Sequence, residues 1–139
     1  MPKYIWTEKY SVGVKEIDKQ HQHFFEIANE IIALAGQEDI ATSELLFKIT
    51  NLSNYAVYHL LTEENIFKRY NYPEAEAHIS AHNAYREKMK GFIAEAEKDG
   101  ADAKNLALQM AEFAGDWLMN HILAMDKKYE EFMREAGIK

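Results

Sequence analysis

The sequence contains no cysteine. That absence excludes disulfides, thiolate zinc sites, cysteine-held iron–sulfur clusters, c-type haem attachment and cysteine nucleophiles together. Proline occurs only at Pro2 and Pro73, and the six glycines are thinly spread, so little interrupts helix formation in a chain rich in Ala, Glu, Lys and Leu. Basic residues are in deficit. The 16 Lys and Arg stand against 23 Asp and Glu (16 − 23 = −7) and are interleaved with acids, which argues against a nucleic-acid partner. Long apolar runs are missing too. The N-terminal MPKYIWTEKY has no apolar h-region, and the longest aliphatic stretch nearby is Ile31 to Ala35. Neither a signal peptide nor a membrane partner is therefore expected, and a soluble, cytoplasmic protein is. With 139 residues, 47% of them hydrophobic and 28% charged, the chain fits one globular domain over 1–139.

What is present is helical periodicity. Apolar side chains recur at three- and four-residue spacing in four segments, predicting helices over about 18–35, 43–70, 74–98 and 102–136. Asp18 is expected to cap the first helix and Gly36 to close it in the left-handed conformation. Asn71 and Pro73 stop the second, and Asp99-Gly100 ends the third. Short connections favour antiparallel neighbours, so the expected fold is all-α, an up-down-up-down four-helix bundle. Residues 1–17 do not fit the helical period. Ile5, Trp6, Tyr10, Val12, Val14 and Ile17 suggest an extended N-terminal arm anchored on the bundle by its apolar side chains.

The chemistry lies in the six histidines. Four residues turn a helix by about 400°, so His59 with Glu63, and His78 with His82, each share one face. His121 and Asp126 are five apart, about 140° round the helix, and do not chelate from one face. Asp126 is expected to lean inward from the side and bridge. The ligating types also fall on the apolar stripes: His21 with Phe24, Phe25, Ala28 and Ile32, and His59 with Leu52, Ala56 and Phe67. His78 and His82 continue through Tyr85, Met89 and Phe92, and His121 follows Met110, Ala114 and Trp117. A lone inward histidine is usually a satisfied core residue, and His23, two residues from His21, is expected at the surface. Five histidines and two carboxylates converging from four helices are different. Unpaired buried polar groups cost roughly 1–3 kcal/mol each, so seven in one core need a common partner.

That partner is a metal. Imidazole with carboxylate suits iron, zinc, manganese or copper, without choosing among them. Seven ligands exceed what one ion takes, so two ions are expected. If both carboxylates bridge, they fill four positions and five histidines bring nine. A bridging oxide or hydroxide makes eleven of the twelve that two octahedral ions offer. The vacancy, in an apolar surround, suits a small neutral ligand such as dioxygen.

The order His21, then His59-Leu-Leu-Thr-Glu63, His78-Ile-Ser-Ala-His82 and His121-Ile-Leu-Ala-Met-Asp126 resembles the hemerythrin pattern H…HxxxE…HxxxH…HxxxxD. The flanking VGVKEIDKQH, YNYPEAEAHISAH and WLMNHILAMDKKY resemble the bacterial hemerythrins, and the similarity spans nearly the whole chain. The resemblance implies a non-haem, oxo/hydroxo-bridged pair of Fe ions that binds O2 reversibly for carriage, storage or sensing. By position it implies His78, His82 and His121 on a filled iron, His21 and His59 on the iron with the open site, and Glu63 and Asp126 as bridges. It also implies an O2 pocket of Phe24, Leu60, Trp117, Leu118 and Ile122, residues that pack a core equally well. Leu60 stands where the family commonly has Phe.

A redox enzyme on the same cluster (peroxidase, oxidase or nitric-oxide-handling) is the alternative. It wants a positioned acid or base, and no spare inward one is evident, so binding is favoured over catalysis. Tyr129, three residues after Asp126, is placed either to hydrogen-bond near the cluster or simply to pack, and Glu64 is expected to face solvent. Ferritin-like oxidases need Glu three residues before His on two helices. Here those places hold Asp18, Ala56, Ala75, Ile79 and Leu118, and no HExxH zinc motif exists. An unidentified protein partner for O2 delivery or signalling is compatible with all of this.

Overall fold

The computed structural model describes residues 2–139; Met1, the first residue of the expected arm, lies outside them. Four long helices carry the architecture: α1 (Lys15–Ala35), α2 (Thr42–Tyr70), α3 (Ala75–Ala96) and α4 (Ala103–Ala124). A 3-10 turn, Asp126–Tyr129, and a short α5, Glu130–Glu135, follow. The bundle is the expected all-α one. Helix α1 packs on α2 and α4, α3 packs on the same two, and α2 meets α4 across the short diagonal. Among the described residues no helix is long and apolar enough to cross a membrane.

Each helix buries the stripe its periodicity predicts. Helix α1 buries Ile17, Phe24, Phe25, Ile27, Ala28 and Ile31, while α4 buries Ala107, Met110, Ala111, Ala114, Leu118 and Ile122. Asp102 caps α4, its carboxylate accepting from the Asn105 N–H at 3.1 Å. The end of α1 differs from expectation. Gly36 stays right-handed at φ −82°, and the left-handed cap is Asn71 (φ 56°, ψ 51°), whose N–H meets the Phe67 carbonyl and closes α2.

Two further departures bear on function. Helix α1 starts at Lys15, with Val14 as its cap residue, so Asp18 lies inside the first turn. Its carboxylate accepts instead from the Ser11 hydroxyl at 2.6 Å and the Val12 N–H at 2.9 Å, tying down the arm. Helix α4 does not continue to about residue 136. It ends at Ala124, and Met125 (φ −118°, ψ −53°) turns the chain into the 3-10 segment. A continuous helix would carry Asp126 away from the bundle axis. The break turns it inward and buries Asp126, Tyr129 and Met133 completely. Lys127 fastens the turn by donating to the Ser11 carbonyl at 2.7 Å.

The N-terminal arm is extended except for one 3-10 turn at Glu8–Tyr10. Tyr4, Tyr10, Val12 and Val14 anchor it, whereas Ile5, expected to do so, is 56% exposed, and Ile17 belongs to α1. Asn29 grips the Tyr4 backbone from both sides, accepting from its N–H at 2.9 Å and donating to its carbonyl at 2.7 Å. The Tyr4 ring lies directly over Gly115 of α4. A Cβ there would come within 2.3 Å of the ring, so this seat requires glycine.

Candidate metal centre

All four long helices and the turn after α4 contribute. Helix α1 supplies His21, α2 His59 and Glu63, α3 His78 and His82, α4 His121, and the turn after it Asp126. All seven are at most 5% exposed. They form two sets whose ligand atoms lie within 4.8 Å of one another: Glu63, His78, His82 and His121, and His21, His59, Glu63 and Asp126. Glu63 belongs to both.

The carboxylates divide their oxygens between the two sets. Glu63 Oε1 lies 3.1 Å from His82 Nε2 and 3.6 Å from His78 Nε2, while its Oε2 faces His59 and His21 at 3.9 and 4.0 Å. Asp126 Oδ1 lies 2.9 Å from His78 and 3.0 Å from His121, and its Oδ2 3.2 Å from His21. The five-residue spacing that prevented chelation on a continuous helix is overcome by the break at Met125.

Several of these atoms have no hydrogen-bond partner despite their closeness. Glu63 Oε1, His82 Nε2 and both Asp126 oxygens are buried with no hydrogen-bond partner. The His21 and His59 Nε2 atoms face each other at 3.1 Å, as do those of His78 and His121 at 3.0 Å. Ligand-type atoms gathered within 4.8 Å of one another, several of them unpartnered, point at a shared position between them. Orphaned buried charges are costly in any other arrangement, so this donor set fits metal ions of the imidazole- and carboxylate-binding kind.

Neighbouring groups fix which imidazole nitrogen is free. His59 donates from Nδ1 to Gln20 Oε1 at 2.7 Å, leaving Nε2 as a lone pair toward the centre. The Gln20 amide is oriented by its NH2 group, which donates to Thr62 Oγ1 at 3.3 Å. His82 donates from Nδ1 to Glu64 Oε2 at 2.7 Å, and Arg86 donates to the same carboxylate at 2.8 Å. Glu64 therefore does not face solvent, because α3 brings His82 and Arg86 against it. Tyr129 donates to Glu63 Oε2, and its ring stacks on His78 with centroids 5.7 Å apart. Gln20, 1% exposed, went unnoticed in the sequence. Its place between Ile17 and Phe24, three and four residues away on one apolar face, was the available signal.

The protonation states follow from this burial. Desolvation lowers the His59 pKa to about 3, against the pull of Glu63, so its ring is neutral at ordinary pH. Burial alone would lower His78, but the approach of Asp126 and Glu63 raises it to about 9. Burial likewise pushes Asp126 up, yet the surrounding His121, His21 and His78 hold it well below the usual carboxylate range. Tyr129 moves the other way. Burial and the Asp126 and Glu63 charges raise its pKa well above 10, so it keeps its proton.

The apolar residues expected around the centre are buried or half-buried. Phe24 meets the His59 ring edge-on at 6.3 Å, and Leu60, Leu118 and Ile122 are at most 1% exposed. Trp117 is half-buried and stacks on His121 with centroids 4.3 Å apart, on the three-histidine side. His23 points away from the cluster, its ring against Tyr55 and its Nδ1 3.3 Å from Glu26.

Comparison with known proteins agrees with the geometry. Residues 12–132 match the family described as hemerythrin HHE cation binding domain. The chain is 26% identical over 128 residues to a bacteriohemerythrin of Clostridium acetobutylicum, covering 91% of this chain and 98% of that one. It is 29% identical over 126 residues to the bacteriohemerythrin of Methylococcus capsulatus, covering 89% and 92%. A solved structure of wild-type hemerythrin superposes with a TM-score of 0.75 at 26% identity, over 93% of this chain and 96% of its own.

Proposed function

The chain belongs to the hemerythrin family, and on that premise we propose that it binds dioxygen reversibly at a non-haem di-iron centre, as a carrier, store or sensor rather than an enzyme. His78, His82 and His121 would hold one iron and His21 and His59 the other, with Glu63 and Asp126 offering a carboxylate oxygen to each. The observation that carries this is the division of oxygens: each carboxylate turns one toward the three-histidine set and the other toward the two-histidine set. Iron, when bound, supplies the electrons and the affinity for dioxygen.

The chain's own residues supply the rest. Gln20 and Glu64 hold His59 and His82 with Nε2 toward the centre. The two-histidine side has one histidine fewer, which leaves it the place for an exogenous ligand. Phe24, Leu60, Leu118 and Ile122 keep water away, and a dry site suits a neutral diatomic over anions. The Tyr129 phenol, donating to Glu63, steadies that carboxylate.

Tyr129 is also the one observation favouring the second reading, a redox enzyme, because an O–H group points into the cluster. Its raised pKa makes it a poor proton donor near neutrality, which supports binding over catalysis. An optical O2 titration of anaerobically reduced, iron-loaded protein, followed by argon flushing, separates the two. Binding predicts a visible band that appears with O2 and vanishes on flushing, with about two irons per chain by elemental analysis. Direct passage to a stable oxidised spectrum, with peroxide released or consumed, overturns it in favour of the enzyme.

A further inference from the structure

The outer face of α2 is unusually apolar for a chain with 28% charged residues. Leu46, Phe47, Val57, Tyr58 and Leu61 are 41, 68, 50, 52 and 44% exposed. At about 100° per residue these five fall within roughly 120° of arc on one helix. Thr50 and Asn54 fill the gaps between them, and no charged side chain enters the arc between Leu46 and Leu61. Single exposed apolar residues are ordinary, but a contiguous stripe of this kind marks a contact surface.

The charges at its ends say what covers it. Glu38 and Asp39 lie just before α2, and Lys68 and Arg69 end it. All four are exposed, and among the described residues none is engaged in an ion pair within the chain. A chain with net charge −7 repels its own copies unless opposite charges meet locally. Antiparallel pairing of two α2 helices about Asn54 brings them together. Within α2, residues whose numbers sum to 108 then face each other, Phe47 meeting the partner's Leu61 and Thr50 the partner's Tyr58, while the loop carrying Glu38 and Asp39 approaches the end of the partner's helix at Lys68 and Arg69. The like-charge approach of Glu44 to the partner's Glu64 is relieved because Glu64 is already held by Arg86.

We propose that this face binds a second copy of the chain, forming a two-fold dimer through antiparallel α2 helices with the axis at Asn54. The contact along the 29 residues of α2 runs about 44 Å, one helix wide. That offers somewhat less than the ~800 Å² per partner of a stable complex, so association in the micromolar range is expected. In such an interface each substitution acts twice.

Sedimentation velocity of the full chain tests this, with cross-linking as a second measurement. The wild type should pass from monomer to dimer between about 1 and about 200 µM. Phe47→Glu and Leu61→Glu should remain monomeric throughout with unchanged circular dichroism, since both residues are exposed. Arg69→Asp should weaken association about tenfold, and adding Asp39→Arg should restore it. Because the chain lacks cysteine, Asn54→Cys places a single thiol on the axis. Mild oxidation should link that variant into a disulfide dimer far faster than Glu87→Cys, exposed on α3. A wild type that stays monomeric at the highest concentration overturns the proposal. Equal cross-linking at both positions, or no recovery in the double charge reversal, does so too.

Discussion

The two histidine sets are built from one residue type but held differently. His82 leans on a carboxylate, Glu64, whereas His59 leans on the neutral amide of Gln20. A carboxylate partner draws on the N–H proton and makes the opposite nitrogen a stronger ligand; an amide orients the ring with less of that effect. The surroundings differ in the same sense. His78 and His121 are clasped by the Phe67, Tyr129 and Trp117 rings, while His21 Nδ1 has no partner at all. A single fold thus makes one firmly held set and one less firmly held, and under the proposed function the latter is where a ligand that comes and goes would bind.

The largest test removes what the two sets share. Glu63→Ala or Asp126→Ala should bring iron content from about two per chain to near zero by elemental analysis, because each carboxylate faces both sets. Next, His59→Ala should empty the less firmly held set and abolish the O2 band while one iron remains. His82→Ala should cost both ions, and equal losses in the two variants would break the comparison. Smaller again are the supporting residues. Glu64→Gln and Gln20→Leu should each lower metal affinity roughly 10–100-fold, read by chelator competition, with the Glu64 change speeding release from the firmly held set and the Gln20 change speeding it from the other. The smallest effect on iron is expected from Gly115→Ala, which forces the Tyr4 ring off α4. Urea unfolding should show about 1–3 kcal/mol of destabilisation, with iron content unchanged.

Much of this was legible in the sequence because it obeys one helix's own period. The pairs His59 with Glu63 and His78 with His82 need only a continuous helix, and the buried stripes identify its inner face. The rest depends on other elements. Nothing in Met125-Asp126-Lys127-Lys128 breaks a helix by propensity; the break is worth making only because the centre and the Ser11 carbonyl lie where Asp126 and Lys127 then reach them. Glu64 reads as a surface residue until α3 delivers His82 and Arg86 to it. Gly36 before a loop suggested a left-handed turn that the following residues did not require. The glycine that geometry does require, Gly115, sits mid-helix, where sequence alone gives it no purpose.

The turn after α4 has a consequence for biosynthesis. The seven proposed ligands run from His21 to Asp126, and the one that faces both sets from outside the long helices emerges from the ribosome last. At roughly 5–20 residues per second, that leaves about 5–20 s in which a growing chain presents histidines without the group that closes them. A nascent bundle therefore lacks the second shared carboxylate until α4 has been made, and the two-histidine set is the later of the two to be completed.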